Sequence, residues 1–313
     1  MIHLRVVSPP DVTGTVMAML HSEPAVMNLT MLAGAVSNPD GDAVQCDVLQ
    51  GAANEVIGRL RALGLDQRGS IVLENVDTSI SALAERARST QGRYQQFTPV
   101  WAQVESRIAL GGTFPPSWFA LLVIAGLIGA VGILTNSQIL IVGAMVVGPE
   151  YNAIMGVALG LDRRARRPVL RGLLALLAGF TAAVLLTLLF GLAIRWSGYT
   201  PRLYSAGIRP VSDLINNPNL FSVVVAVLAG IVGVVSLTEA RASALIGVFI
   251  SVTTIPAAAD IGLSLAYSSW GEARGSAAQL LLNVVLLIAV GAAALRLQRV
   301  IWRGREQPGR PPG

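Results

Sequence analysis

Polar and apolar positions alternate in the first 80 residues of this chain, and long charge-free apolar runs follow from residue 108 onward. The opening stretch, Ile2-His-Leu-Arg-Val-Val7, alternates as a half-buried strand does and ends at Ser8-Pro9-Pro10. A helix over 11–20 follows, with Asp11 placed to cap it. Two strands are predicted over 29–36 and 43–49, joined by the turn-rich Ser37-Asn-Pro-Asp-Gly41. Val56, Leu60 and Leu63 have helical spacing within 52–63, which stops at Gly64, and a last strand covers 69–76. The order β-α-β-β-α-β predicts a small α+β, ferredoxin-like (ACT-like) domain over residues 1–80. That fold hosts many functions and does not name a ligand.

Residues 81–116 read as an amphipathic linker helix, with Arg86, Arg88, Arg93 and Arg107 among Leu83, Phe97, Trp101 and Val104. Such a helix lies on a membrane surface, packs on a neighbouring subunit, or simply connects. Residues 117–303 form a predicted α-helical integral membrane domain of about six spans, near 117–135, 138–161, 170–194, 219–237, 243–267 and 276–296. No charge falls between Arg107 and Glu150, about twice the ~20 residues that cross a bilayer. Residues 304–313 are expected to be a disordered tail.

Composition supports the membrane reading: 53% of residues are hydrophobic and only 13% charged, where soluble domains carry about a quarter charged. The net charge of +5 then reflects arginines retained on one membrane face rather than nucleic-acid binding. Arg163, Arg164, Arg166, Arg167 and Arg171 lie in one loop and Arg296, Arg299, Arg303, Arg305 and Arg310 at the C-terminal end. The other face keeps Arg195, Arg202, Arg209 and Arg274, so both termini are expected in the cytoplasm at a prokaryotic inner membrane. No cleavable signal peptide is expected in residues 1–10. The single Cys46 allows no internal disulfide, and neither a metal site nor a cofactor fingerprint is evident. The 196–218 segment reads as an outside linker, with Trp196, Tyr199 and Tyr204 suited to the membrane interface.

The three-span unit recurs. Gly126-Leu-Ile-Gly129-Ala-Val131 reads against Gly230-Ile-Val-Gly233-Val-Val235, and Ile141-Val-Gly143-Ala-Met145 against Leu245-Ile-Gly247-Val-Phe249. Met155-Gly156 reads against Ile261-Gly262, with the offset grown by two residues. An odd number of spans per copy makes the two repeats inverted, with proline-broken second and fifth spans, a pattern that in transporters builds a midplane site.

The chemistry concentrates at those breaks. Pro149 removes a backbone donor and frees carbonyls, and Glu150, Tyr151 and Asn152 follow it. Together they suit a cation or a proton; the alternatives are an ion pair between Glu150 and Arg241, or a wet Glu near the interface. Thr253, Thr254, Pro256 and Asp260 are the counterpart in the fifth span. Two carboxylates brought into one dry site would couple their titrations. Glu239 and Arg241, in a short turn, are gating candidates or simply a solvated pair; Asn136, Ser137 and Gln138 are ordinary polar residues of the tight first–second turn, or cap the second span. Gly126, Gly129, Gly132, Gly156 and Gly160 allow close helix approach.

The run from Asn136-Ser-Gln through Gly143-Ala-Met to Gly148-Pro149, with the later Ser243 to Pro256, resembles the signature of domain-of-unknown-function family 389. The resemblance covers about residues 110–300. It implies a multi-span membrane domain, often with a small cytoplasmic domain, and implies no activity. The chain departs where members read Ser-Pro-Leu, here Gly148-Pro149-Glu150, and where they read Pro-Pro, here Pro256-Ala-Ala-Ala-Asp260.

The expectation is a transporter or channel for a small ion or solute, gated or assembled by the N-terminal domain. It is expected to be a homo-oligomer in the lipid bilayer, not an enzyme and not a nucleic-acid binder. The competing expectation is a membrane-anchored ligand sensor or scaffold whose spans only position the N-terminal domain. A membrane enzyme acting on lipids is a third.

Overall fold

The computed structural model describes residues 1–76, 78–90, 98–239, 247 and 252–303. Two compact units emerge, one built on Met1–Val104 and the other comprising Glu105–Arg299.

In the first unit β1 (Ile2–Ser8), α1 (Pro10–His21), β2 (Val26–Ser37), β3 (Asp40–Val48), α2 (Gln50–Ala62), a one-turn α3 (Leu65–Arg68) and β4 (Ser70–Asn75) follow one another. The sheet order is β2-β3-β1-β4, with every neighbouring pair antiparallel. Strict alternation buries Ile2, Leu4 and Val6 of β1 beside Val48, Cys46 and Val44 of β3. These pack with Val16 and Leu20 of α1 and Val56 and Leu60 of α2. Each such side chain contributes roughly 1.5–3 kcal/mol when fully buried.

Two local expectations shift. Helix α1 starts at Pro10, whose missing N–H costs nothing at a first helical position, so Asp11 is not the cap. Asp11 instead pairs with Arg68 at 2.8 Å, and that guanidinium holds its carboxyl below the usual range. The linker is not one helix: α4 (Ala82–Thr90) and α5 (Trp101–Gly111) are separated by non-helical residues 98–100. Pro99 keeps the residue before it out of the helical region. Asn54 of α2 fixes this stretch, donating to the Pro99 carbonyl at 3.0 Å and accepting from the Trp101 amide at 3.0 Å. Arg93, Phe97 and the 304–313 tail lie outside the described residues.

The second unit contains α6 (Pro116–Leu134), α7 (Gln138–Val147), α8 (Glu150–Asp162), α9 (Arg166–Ser197), α10 (Arg202–Ser205), α11 (Pro210–Ile215), α12 (Leu220–Thr238), α13 (Thr254–Ala266) and α14 (Trp270–Arg303). Four of these helices are long and apolar enough to cross a membrane, or five if the bent pair α7–α8 counts as one. Of the expected fifth span, only α13 and the two residues before it form a described stretch. Its 13 residues rise ~20 Å, short of a ~30 Å hydrocarbon core. On α9, Gly172, Ala175, Gly179, Ala183, Thr187 and Gly191 make a buried small-residue stripe. Leu173, Leu177, Leu185 and Leu189 of the same helix are exposed, as lipid-facing positions are.

Three pairs of helix starts among the described residues keep one register. α6 and α12 start at 116 and 220, α8 and α13 at 150 and 254, α9 and α14 at 166 and 270, each pair 104 apart. The two-residue shift expected near Met155 does not occur between these elements; at the constant spacing Leu159 matches Leu263 and Leu161 matches Leu265. The turns that end α8 and α13 are also alike. Ala165 N–H donates to Gly160 O at 2.8 Å and Ser269 N–H to Ser264 O at 2.7 Å. The left-handed residues are Arg164 and Ser268, again 104 apart. This is the glycine-type helix stop made with ordinary residues.

The 196–218 segment is more than a linker. It forms α10 and α11, and Tyr204, Val211 and Ile215 enter an apolar core with Leu263 and Ile133. Tyr204, expected at the membrane interface, is instead fully buried against Tyr267 with ring centroids 5.0 Å apart, whereas Trp196 and Tyr199 are exposed.

Candidate functional site at two facing helix starts

The chain breaks at Gly148-Pro149, and α7 and α8 meet at a 50° bend. Proline at the α8 N-cap ends one helix and starts the next, and its carbonyl is taken by Trp118 Nε1 at 3.2 Å. Ser137 caps α7 as expected, its hydroxyl accepting from the Leu140 amide. Pro256 is the third residue of α13, where a missing N–H is harmless.

Glu150 and Thr254 are each the first residue of a helix, and they meet. Thr254 Oγ1 donates to Glu150 Oε1 at 2.7 Å. Glu150 is 7% exposed and Thr254 2%. Glu150 Oε2 accepts no hydrogen bond from any described residue. A carboxylate between two helix N-termini gains from both dipoles. Gly148 makes the room: a Cβ there would run into the Ile255 side chain and Glu150 Oε2. The chain's two departures from Ser-Pro-Leu therefore share one space.

Next to Thr254, the Thr253 hydroxyl accepts from Asn283 Nδ2 at 3.2 Å and Gln279 Nε2 at 3.4 Å. Gln279 and Asn283 are buried on α14 and were not singled out from sequence. Two amides four residues apart inside the charge-free 275–295 run were the available signal, since polar groups in a span face the bundle.

Asp260 stands apart. Its two oxygens accept from Ser212 Oγ at 2.7 Å and Ser276 Oγ at 2.6 Å, and Ser212 also accepts from Asn216. Six residues along α13 from Thr254 is ~9 Å of rise and a turn to another face. The carboxylates thus sit in separate networks, not in one shared dry site. Asn152 is exposed and lies against Gly111, so it does not join Glu150, and Tyr151 packs on Gly233 of α12. Glu239 is the exposed C-cap of α12, and Arg241 lies outside the described residues.

An arginine holds the last residue of each short helix. Arg299 pairs with Asp162, the last residue of α8, and with Glu105, which also pairs with Arg163. Arg195 donates to the carbonyl of Ala266, the last residue of α13, at 2.7 Å. Beside it Arg209 pairs with Glu272 at 2.6 Å and covers the Tyr204 ring at 4.2 Å.

This is a helical domain with four to five membrane-length apolar helices and a buried polar centre where two short helices begin. Residues 145–289 match the family described as "Domain of unknown function (DUF389)", the family the sequence resembles; the match takes in Gly148-Pro149 and the later Ser243 to Pro256. No curated protein and no solved structure matches the chain.

Proposed function

We propose that the protein is a membrane transporter or channel for a small ion or solute, built from two inverted three-span repeats in a prokaryotic inner membrane. The observation that carries this reading is the Glu150–Thr254 contact. It joins positions 104 apart, the same spacing that separates the helix starts, so a two-fold axis relating the halves would pass through it. Other contacts support the same axis. Thr187 of α9 packs on Gly262 of α13, while Gly291 of α14 packs on Ala158 of α8. Shifting each residue by 104 turns one pair into the other. The same shift turns Arg195–Ala266 into Arg299–Asp162.

Crossed halves of this kind, with half-membrane helices starting at the centre, are the arrangement in which secondary transporters hold their ligand. Glu150, Thr253 and Thr254 would contact the permeant species, with Gln279 and Asn283 behind them. Both termini would be cytoplasmic, with the arginine-rich 163–171 turn on the same side. The antiparallel sheet of the first unit has the strand order of two split β-α-β units, which supports a ferredoxin-like domain that gates the pathway or pairs subunits into a homo-oligomer. No enzymatic step is part of this reading.

Flux assays on reconstituted vesicles test it, with a panel of monovalent and divalent ions. Glu150→Gln and Thr254→Val should each lower flux at least about tenfold, the effect of about 1.4 kcal/mol. Flux unchanged in both variants would move the sensor or scaffold reading ahead.

A further inference from the structure

A cavity of about 330 Å³ opens in the second unit between the end of α5, residues 112–114, α8 and the start of α9. Ile108, Phe114, Leu159 and Pro168 give it apolar walls, and Arg163 and Arg171 are the charged residues that line it among the described residues. Gly156 stands on the wall, and a Cβ added there would meet nothing within 4 Å. Gly156 thus does not serve the helix contact expected of it, and the space beside it is open. Arg163 pairs with Glu105, but no described carboxylate pairs with Arg164, Arg166, Arg167 or Arg171. Asp162, the acid nearest in sequence, is engaged by Arg299. Arg171 is also the last charge before the apolar 172–194 run, so it marks headgroup depth.

We propose that this cavity binds an anionic phospholipid, with the phosphate against Arg163 and Arg171 and one acyl chain along Ile108, Phe114 and Leu159. Orientation by positive charge would place arginines in this turn without a cavity beside them. A water-soluble anion would gain nothing from the apolar walls. Basic pockets between spans are suited to anionic headgroups, and the volume falls within the range of small-molecule sites. The inference rests on the second unit lying in a bilayer.

The test uses the full-length protein in neutral detergent, with thermal unfolding followed as phosphatidylglycerol, phosphatidylcholine or inorganic phosphate is added. Phosphatidylglycerol alone should raise the midpoint, because a ligand of the folded state stabilises it by mass action. Arg171→Gln should weaken the apparent affinity about tenfold, the loss of one charge-assisted contact, and Arg171→Lys should retain most of it. Gly156→Leu, which fills the cavity and removes no charge, should abolish the response. Equal responses to the two lipids, an equal response to inorganic phosphate, or an undiminished phosphatidylglycerol response in both Arg171→Gln and Gly156→Leu would overturn the site. Flotation with phosphatidylcholine vesicles separates the two levels. Protein that floats but lacks lipid selectivity overturns the site alone, and protein that does not float overturns the membrane reading beneath it.

Discussion

Thr254 and Glu150 hold each other across the centre of the second unit: a hydroxyl on the first residue of α13 donates at 2.7 Å to a carboxylate on the first residue of α8. Neither helix is long enough to span a bilayer by itself. Each begins inside the unit, and the two starts meet through these side chains. The contact joins the two breaks directly and makes a single polar centre of them.

Gly148 and Glu150 should behave as one unit. Gly148→Ser alone pushes a side chain into Ile255 and Glu150 and should destabilise the protein by about 1–3 kcal/mol. Combined with Glu150→Leu, the cost should fall below the sum of the single changes by at least about 0.5 kcal/mol. Thermal midpoints of the four proteins measure this, and strict additivity would contradict the shared space.

Glu150 and Asp260 should behave as two. With separate hydrogen-bond partners, and with Asp260 six residues (~9 Å of helix rise) along α13 from the Thr254 that Glu150 contacts, the stability effects of Glu150→Gln and Asp260→Asn should add within about 0.5 kcal/mol. Asp260→Ala should cost more than Asp260→Asn, because it leaves the buried Ser212 and Ser276 hydroxyls without their acceptor. A strong coupling in the double variant would mean that the carboxylates share a site after all.

In the inverted-repeat reading, the Arg299–Asp162 and Arg195–Ala266 contacts act as locks on opposite sides of the pathway. In a Thr254→Cys protein, Arg299→Ala should raise labelling by a membrane-impermeant thiol reagent from the Asp162 side, and Arg195→Ala from the Ala266 side. The native Cys46 supplies a quiet background, since burial pushes its thiol up to about 12 and the thiolate is scarce at neutral pH. Equal labelling from both sides in both variants would remove the locks from any gating role.

Acid should weaken the first unit through Asp42. The Gly34 amide, donating at 2.8 Å, holds the Asp42 carboxyl below its ordinary value of 3.8, with help from Thr13. The folded state therefore binds this proton less readily than the unfolded one, and the stabilisation is complete above 3.8. It is lost as the pH falls through the lower folded value. Hydrogen exchange of the β2 and β3 amides in the full-length protein should show protection falling in that acid window. Asp42→Asn should flatten the fall.

Much of the first unit was legible because its period is short. Alternation at Ile2–Val7 fixed which face of β1 is buried, and Gly64, at φ 76°, stops α2 where its lack of a Cβ said it would. Pro99 breaks the linker, although the arginine and apolar pattern on either side reads as one helix. In the second unit the charge-free runs announced apolar helices, and Pro149 announced the bend. The registry of α13 with α8 was blurred by chance matches at Met155-Gly156 and Ile261-Gly262.

Residue order alone determined the apolar helices, the break at Pro149 and the family resemblance, because hydropathy, proline and local motifs act over one or two helical turns. Only the tertiary structure decided that Glu150 meets Thr254, that Asp260 is satisfied by Ser212 and Ser276, and that Asn152 faces away. It also brought Ser212 in from a segment that reads as a linker, and Gln279 and Asn283 in from the charge-free last predicted span. Those outcomes depend on which face each helix turns toward another. That choice is made by contacts between residues tens of positions apart, such as Gly262 against Thr187 and Gly291 against Met155, and no local pattern records it.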